Sequence, residues 1–467
     1  MEKFDAIILG SGQGGNPLAK KLSEHGKRVA LVESEFIGGT CVNYGCTPTK
    51  TLVGIAKTIF QARKATNYGI TLHETVPKVK LVNNRKNDVV KHSRERLENV
   101  LLEDSNITFF HGVGSFSGYK EVCVKLVNLG YKTITADSIF INTGTRPSVP
   151  KIKGLSTVEF FTSKTIMDFE SIPDHLLIIG GGYIGLEFSQ IFRRMGSQVT
   201  IVEQHPRLLS KEDDDVASMI HHVLEQEGVR IVTSAKIVGV SAANDTKSIQ
   251  IEILSQGKTI ELNGSHLLVA TGDVPNTEQL DLSNTKIQVD EKGFIPVNEH
   301  LETEQVGIYA LGDVKGGPAF THVSYNDYVV ITDHLFGDKA LSIDNQLVPY
   351  CLFIDPELGR IGLTEKDASE MNLDFSVAKM NTSAIARAIE TDQTLGFIKV
   401  IVENNTKKIL GVAAICDGGG ELMSLLQIAI IGDLTYVQLR DTMFAHPTYA
   451  EAINNLFSPI HLKLKRS

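Results

Sequence analysis

The chain has 467 residues, 42% hydrophobic and 22% charged, with a formal net charge of −9. This is the make-up of a globular protein of two to four domains, and its acidic balance argues against nonspecific attraction to nucleic acid or a membrane surface. No apolar run approaches the roughly 18 residues of a membrane span, so no transmembrane helix is expected. Five sparse cysteines, an odd number, fit a reducing compartment, and a cytoplasmic location is expected.

The first element is a strand over residues 4–10, with no basic and apolar leader ahead of it. It runs into Gly10-Ser-Gly12-Gln-Gly-Gly15, then a helix over 18–26 and a strand over 28–33 that ends in Glu33. Gly10 allows the tight turn, Gly12 lets backbone approach a pyrophosphate, and Gly15 allows close helix–strand packing. The helix N-terminus receives the phosphates, and Glu33 is placed to accept from a ribose hydroxyl.

The stretch Gly39-Thr-Cys41-Val-Asn-Tyr-Gly45-Cys46-Thr-Pro48-Thr-Lys50 follows. Two cysteines this close can be a metal site, a structural clip or a redox pair. No second Cys cluster or His pair lies nearby to complete a metal site, and a structural clip suits a cytosolic chain poorly. A dithiol that opens and closes is the favoured reading. A regular helix would separate the two positions by roughly 7.5 Å along its axis, and a disulfide tolerates Cα separations only up to about 7 Å. The backbone must therefore leave the helix here, and Gly45 and Pro48 are expected to permit it. Cys123, Cys351 and Cys416 are isolated and are expected to be small core residues.

Residues 51–104 look helical with an interruption at Pro77, and 107–141 read as short strands ending in Asn142-Thr-Gly-Thr-Arg-Pro147. The opening pattern then recurs. A strand over 176–180 meets Gly180-Gly-Gly182-Tyr-Ile-Gly185, a helix covers 186–196, and a strand over 198–203 ends in Glu203. Two complete copies with acidic ends predict two bound dinucleotides. The stretch 267–276 repeats the strand-to-Gly turn at 142–147, and both are expected where the chain crosses between domains. A further strand over 306–313 ends in Gly312-Asp313. From about residue 348 the texture changes, with strands over 397–416 and helices expected from 421 to the end.

Taken in order, the two Gly turns, Gly39-Thr-Cys41 to Cys46, Pro48-Thr-Lys50, Tyr183-Ile-Gly-Leu-Glu187, Ala270-Thr-Gly272, Gly312-Asp313 and His446-Pro-Thr448 with Glu451 resemble one family across nearly the whole length. That family is the flavin-dependent pyridine nucleotide–disulfide oxidoreductases, which include dihydrolipoamide dehydrogenase, glutathione reductase and mercuric reductase. The resemblance implies an α/β fold with two Rossmann-like dinucleotide-binding domains, for FAD and NAD(P), and a C-terminal α+β dimerisation domain. The expected divisions are 1–150 and 273–345 for the two parts of the FAD-binding unit, 151–272 for the NAD(P)-binding domain and 346–467 for dimerisation. It implies FAD on the first turn, with Glu33 on its ribose, Asp313 on the ribityl chain, and Thr321 and His322 beside the isoalloxazine. Thr40, Lys50, Thr143, Gly144, Gly272 and Gly312 are further implied cofactor residues.

The same resemblance implies that Cys46 exchanges with the flavin, Cys41 attacks substrate, and Lys50 pairs with Glu187 near the flavin. A lone histidine near a C-terminus is usually structural, but His446 with Glu451 resembles the family's acid–base pair, which reaches the dithiol of the other subunit of a homodimer. The sequence after Asp313, Phe320-Thr-His-Val-Ser-Tyr-Asn-Asp-Tyr328, is closer to the mercuric-reductase-like branch, which also includes bacterial reactive-chlorine-resistance reductases. The ending Lys463-Leu-Lys-Arg-Ser467 lacks the adjacent cysteine pair of mercuric reductases. The expected activity is NAD(P)H-driven reduction at Cys41/Cys46 with a disulfide, oxidant or metal-ion acceptor. The alternatives are a dihydrolipoamide dehydrogenase, a mercuric reductase, or a flavoprotein redox sensor of low turnover. Glu203 favours NADH, and Arg207, four residues on, is the side chain that could meet the extra phosphate of NADPH.

Overall fold

The computed structural model describes residues 1–72, 75–127, 130–242, 248–458 and, as backbone, 462–464. Its first sheet is built on parallel strands in the order Ile107–Gly118, Val29–Glu33, Glu2–Leu9, Gly130–Ile141 and Ile308–Ala310. The two outer long strands are 12 residues each, and their far halves are joined by antiparallel pairing to Glu121–Leu126. Ala6 to Leu9 and Val29 to Val32 are buried without alternation, as expected of strands covered on both faces. The helix Gly15–Glu24 covers one face through Leu18, Ala19 and Leu22. It starts on the last glycine of the turn, three residues earlier than its apolar pattern suggests.

The second sheet holds four parallel strands in the order His266–Val269, His175–Ile179, Gln198–Val202 and Arg230–Val232. The helix Tyr183–Met195 packs on it, and an antiparallel meander of Ala235–Ala242, Ile249–Ser255 and Lys258–Gly264 lies beside it. The chain leaves the first sheet through Thr145–Pro147 and returns through Asp273–Pro275, and these two segments pair as an antiparallel ribbon.

The third unit is a six-stranded antiparallel sheet with helices Gly419–Ile431, Tyr436–Asp441 and Ala452–Leu456. Val400, Val412, Leu426 and Phe457 belong to its core. Helices do not continue to the end: Leu462–Leu464 is a strand paired with Phe375–Asn381. Its Leu-Lys-Leu alternation has the two-residue period of a strand rather than a helical one. Asp213, Asp215 and Glu365 converge on the buried ammonium of Lys399 at 2.8, 2.6 and 3.0 Å, tying the helix Asp214–Gln226 to this sheet. Those carboxylates neutralise a charge that burial would otherwise make very costly.

Candidate active site

The two Gly turns are built alike. Gly10 has φ +103°, and a Cβ there would lie 2.3 Å from the Asn142 carbonyl oxygen; Gly180 has φ +114°, and a Cβ would lie 2.3 Å from the Ala270 carbonyl oxygen. Each turn is thus wedged against the strand that follows its own unit, and only glycine fits. In the first, Glu33 accepts from the Ser11 N–H and hydroxyl at 2.9 and 2.8 Å. In the second, Glu203 accepts from the Gly181 N–H at 2.6 Å. The acidic residue that sequence assigns to a ribose therefore also clamps its own turn.

Asn142 closes the first turn. Its Oδ1 accepts from the Gly15 N–H at 2.8 Å and its Nδ2 donates to the Leu311 carbonyl at 2.9 Å. Asp327, 1% exposed, plays a like part for Gly312 and Asp313: it accepts from the Gly312 N–H at 2.7 Å and faces the Lys315 ammonium at 3.5 Å. Burial pushes the Asp327 carboxyl up to about 6. Sequence patterns single out neither residue, because each works through partners distant along the chain or outside the motif. The nearest sequence signal was the Asn142-Thr-Gly turn itself.

Cys41 lies in the short helix Gly39–Asn43 and Cys46 begins the helix Cys46–Lys64. The break between them is at Tyr44 and Gly45. A Cβ on Gly45 would sit 3.0 Å from the Thr40 carbonyl and 3.3 Å from Cys41 Cα, so this glycine lets the chain fold back on the first cysteine. Pro48 takes no part in the break. It lies in the first turn of the second helix, where a missing N–H costs nothing.

Cys46 Sγ lies 3.4 Å from Thr321 Oγ1, and one helical turn on, Lys50 Nζ meets Glu187 Oε2 at 2.7 Å. The Cys41 thiol donating to Cys46, then the Thr321 hydroxyl and the Lys50 charge, pull Cys46 down to about 6 against burial and Glu187. Cys41 moves the opposite way, raised by that same hydrogen bond and by burial. The pair is thus polarised into a thiolate at Cys46 and a proton-bearing thiol at Cys41.

One cleft of about 1610 Å³ gathers most of the expected residues. Gly10, Gly12, Glu33, Thr40, Thr143 and Gly144 line it from the first unit, along with Cys41, Cys46 and Lys50. Gly182, Glu187, Gly272 and Asp313 line it from the second turn and the return path, with Thr321 and His322 beyond. Burial raises the Asp313 carboxyl and lowers the His322 imidazole. His322 stacks on Phe320 with centroids 5.3 Å apart, and its Nε2 lies 2.6 Å from the Pro349 carbonyl. Cys351 also opens on this cleft, so it is not the core residue expected; Cys416 is fully buried. Gly15, Gly180, Gly185, Glu203 and Gly312 are not among the residues that line it. Gly15 and Gly185 pack their turns, with Cβ positions 2.3 and 2.2 Å from the Gly10 and Gly180 carbonyls.

His446 and Glu451 are not in this cleft. They form their own pair on the third unit, with Nδ1 of His446 2.8 Å from Glu451 Oε2, and the imidazole is largely exposed. Met443, three residues before His446, is 96% exposed, and Ile428 and Ile431 of the same unit are 68% and 66% exposed.

The residues around the cleft fit a flavin dinucleotide. Gly144 and Gly272, which line it, have nothing within 4 Å of where a Cβ would stand, the helix after the first turn begins at that turn, and Thr321 and Lys50 lie beside Cys46. Fold and site together define a two-dinucleotide oxidoreductase with a cysteine pair beside the first nucleotide.

The comparisons agree. The family described as pyridine nucleotide-disulphide oxidoreductase matches residues 4–327, and its dimerisation domain matches 348–457. The chain belongs to this family. It is 36% identical over 462 residues to the probable pyridine nucleotide-disulfide oxidoreductase RclA of Escherichia coli, covering 98% of this chain and 99% of the relative. It is 31% identical over 454 residues to the mercuric reductase of Lysinibacillus sphaericus, covering 97% and 82%. A solved structure described as the Cu(II) complex of the HOCl-induced flavoprotein disulfide reductase RclA from Escherichia coli superposes with a TM-score of 0.89 at 35% identity, covering 98% and 99% of the two chains. The protein is a flavoprotein oxidoreductase that uses FAD and a pyridine nucleotide in disulfide electron transfer, and it forms a homodimer. Among the described residues, no helix is long and apolar enough to cross a membrane.

Proposed function

We propose that Cys41 and Cys46 are the redox pair and that the chain reduces a small disulfide, oxidant or metal ion at Cys41. The observation that carries this reading is the polarised dithiol beside Thr321 and the Lys50–Glu187 pair. The first turn, Glu33 and Asp313 would hold FAD, which would supply the link between a two-electron hydride donor and a two-electron dithiol. Lys50 keeps positive charge beside Cys46 and is itself held by Glu187. Thr321 supports the Cys46 thiolate with its hydroxyl. Cys41 keeps its proton, so attack on an acceptor needs a base. His446 of the partner subunit fills that role, and the partner subunit's Glu451 orients the ring and stabilises its cation.

The divisions 1–150 with 273–345, 151–272 and 346–467 are the working domain boundaries, supported by the ribbon that pairs 145–147 with 273–275. The sparse cysteines support a reducing, cytoplasmic setting. Glu203 at the ribose end of the second turn supports NADH as the donor, and Arg207, which pairs with Asp214 and donates to the Ser210 carbonyl at 3.3 Å, is already engaged. The relative whose structure is described as a Cu(II) complex supports a metal ion as one acceptor class. A single experiment tests the whole reading: steady-state NADH and NADPH oxidation by the holoenzyme with lipoamide, glutathione disulfide, Hg(II), Cu(II) and hypothiocyanite. Rapid turnover of one acceptor that is lost in Cys41→Ser is the expected result. Turnover untouched by Cys41→Ser removes the dithiol from the reaction.

A further inference from the structure

Glu33 lines the main cleft together with residues from two units. Glu35 and Phe36 follow it in the chain, Tyr44 stands at the break between the two cysteines, and Lys164 comes from the second unit. Residue 161, just ahead of that lysine, is bonded to the second sheet: its N–H donates to the Leu267 carbonyl at 2.7 Å, and its carbonyl accepts from the Val269 N–H at 2.8 Å. Lys164 reaches from there to the first unit. Its Nζ lies 2.7 and 2.8 Å from the two carboxylate oxygens of Glu35 and 4.3 Å from the centre of the Tyr44 ring. The Tyr44 hydroxyl donates to the same carboxylate. Glu35 is tied in turn to Glu33, whose Oε1 accepts from the Glu35 N–H at 2.8 Å.

We propose that Glu35, Lys164 and Tyr44 extend the flavin dinucleotide's site across the boundary between the two units, as a clasp that opens before the cofactor leaves. The inference rests on FAD occupying the first Gly turn with its ribose on Glu33. Two features separate this ion pair from an ordinary surface one: it joins two units, and one partner's backbone is bonded to the ribose residue. The rest of the segment is anchored within the first unit. Asn43 Nδ2 donates to the Ile37 and Gly39 carbonyls at 3.1 and 3.0 Å, and Arg94, 3.8 Å from the Phe36 ring centre, donates to Asn43 Oδ1 at 2.8 Å. Glu35 is thus where an otherwise fixed segment meets the second unit. The Lys164 and Glu35 side chains are 42% and 50% exposed, so water and salt reach the pair and it parts at small cost. The ammonium beside the Tyr44 ring adds a cation–π attraction that holds it over the carboxylate. Because Tyr44 stands between Cys41 and Cys46, the clasp also joins cofactor retention to the loop that carries the dithiol.

The test is the rate of FAD release from the holoenzyme on dilution, read by the rise in flavin fluorescence. Lys164→Glu and Glu35→Lys each set like charges face to face and should speed release about fivefold. The double swap, Glu35→Lys with Lys164→Glu, restores opposite charges and should return the rate to within about twofold of wild type. Salt gives a second measurement that needs no charge reversal. Raising it from about 0.05 M to about 1 M should speed release from the wild type about threefold and leave Lys164→Met, which keeps the apolar stem, unmoved. Single reversals that release FAD at the wild-type rate overturn the proposal. So does a double swap as leaky as the single variants, or a salt response that persists in Lys164→Met. Glu33→Ala tests the reading beneath it: release at the wild-type rate in that variant overturns the placement of FAD on the first turn, and so separates the two failures.

Discussion

Cys46 is the residue whose state the surroundings decide. Three neighbours favour its thiolate, namely the Cys41 thiol, the Thr321 hydroxyl and the Lys50 ammonium, and burial with Glu187 opposes them. A thiol pulled down to about 6 is ionised above that pH and protonated below it. Iodoacetamide alkylation of the two-electron-reduced enzyme, mapped to Cys46 by mass spectrometry, should rise through a midpoint near pH 6. Cys41→Ala removes the largest of the three supports, so the midpoint should move up toward the ordinary thiol value of about 8.5. An alkylation profile that starts near that value in the wild type and does not move in Cys41→Ala contradicts the polarised pair. A second prediction belongs at this scale. Glu203→Gln keeps the acceptor for the Gly181 N–H but removes the charge, so the proposed preference for NADH over NADPH in kcat/KM should narrow. A gap that widens assigns the discrimination elsewhere.

At the level of elements, the helix Cys46–Lys64 and the helix Tyr183–Met195 are the pair that brings the dithiol's neighbours together. Lys50 and Lys57 are two turns apart on the first, and Glu187 and Arg194 two turns apart on the second. One bridge is Lys50 to Glu187; the other runs from Lys57 at 3.4 Å to Asp355 and on to Arg194 at 2.9 Å. Glu187 and Gln190 also accept from the Phe353 and Asp355 N–H groups at 3.0 and 2.8 Å, docking the third unit on the same helix. Sequence patterns show Lys50 and Glu187 because they stand inside motifs. The second bridge carries no motif and joins residues more than a hundred positions apart, so it is visible only in the fold. Asn142 stands in a turn the sequence shows, but its partners Gly15 and Leu311 are distant in the chain and visible only in the fold. Asn142→Ala should strip partners from the buried Gly15 N–H and Leu311 carbonyl, each costing about 1–3 kcal/mol. Its expected signature is a lowered apoprotein Tm together with faster FAD loss on dilution. Retention of FAD at wild-type rate would falsify the view that Asn142 holds the first turn in shape.

At the scale of the whole molecule, the proposed catalytic residues do not all meet in one cleft. The dithiol, Lys50, Glu187 and Thr321 converge in one cleft of a single subunit, while His446 and Glu451 are paired far along the third unit and absent from that lining. The sequence made the His-Pro-Thr-x-x-Glu pattern legible but could not say which dithiol it serves. The exposed imidazole and the dimerisation-domain match support the proposal that it faces a second copy. A two-fold dimer then has two composite sites, each with Cys41 from one chain and His446 from the other. This arrangement has a quantitative consequence. Cys41→Ser and His446→Ala homodimers should each be inactive with the disulfide acceptor, because each lacks one half of both sites. Unfolded together and refolded in equal amounts, half the dimers would be hybrids, and every hybrid would carry one site with both residues intact. Activity should return to about a quarter of wild type. Flavin reduction by NADH should stay near wild type in the His446→Ala homodimer, since His446 acts only on the dithiol side. No recovery in the mixed refold, with hybrids confirmed by native mass spectrometry, would show that His446 serves its own chain or none.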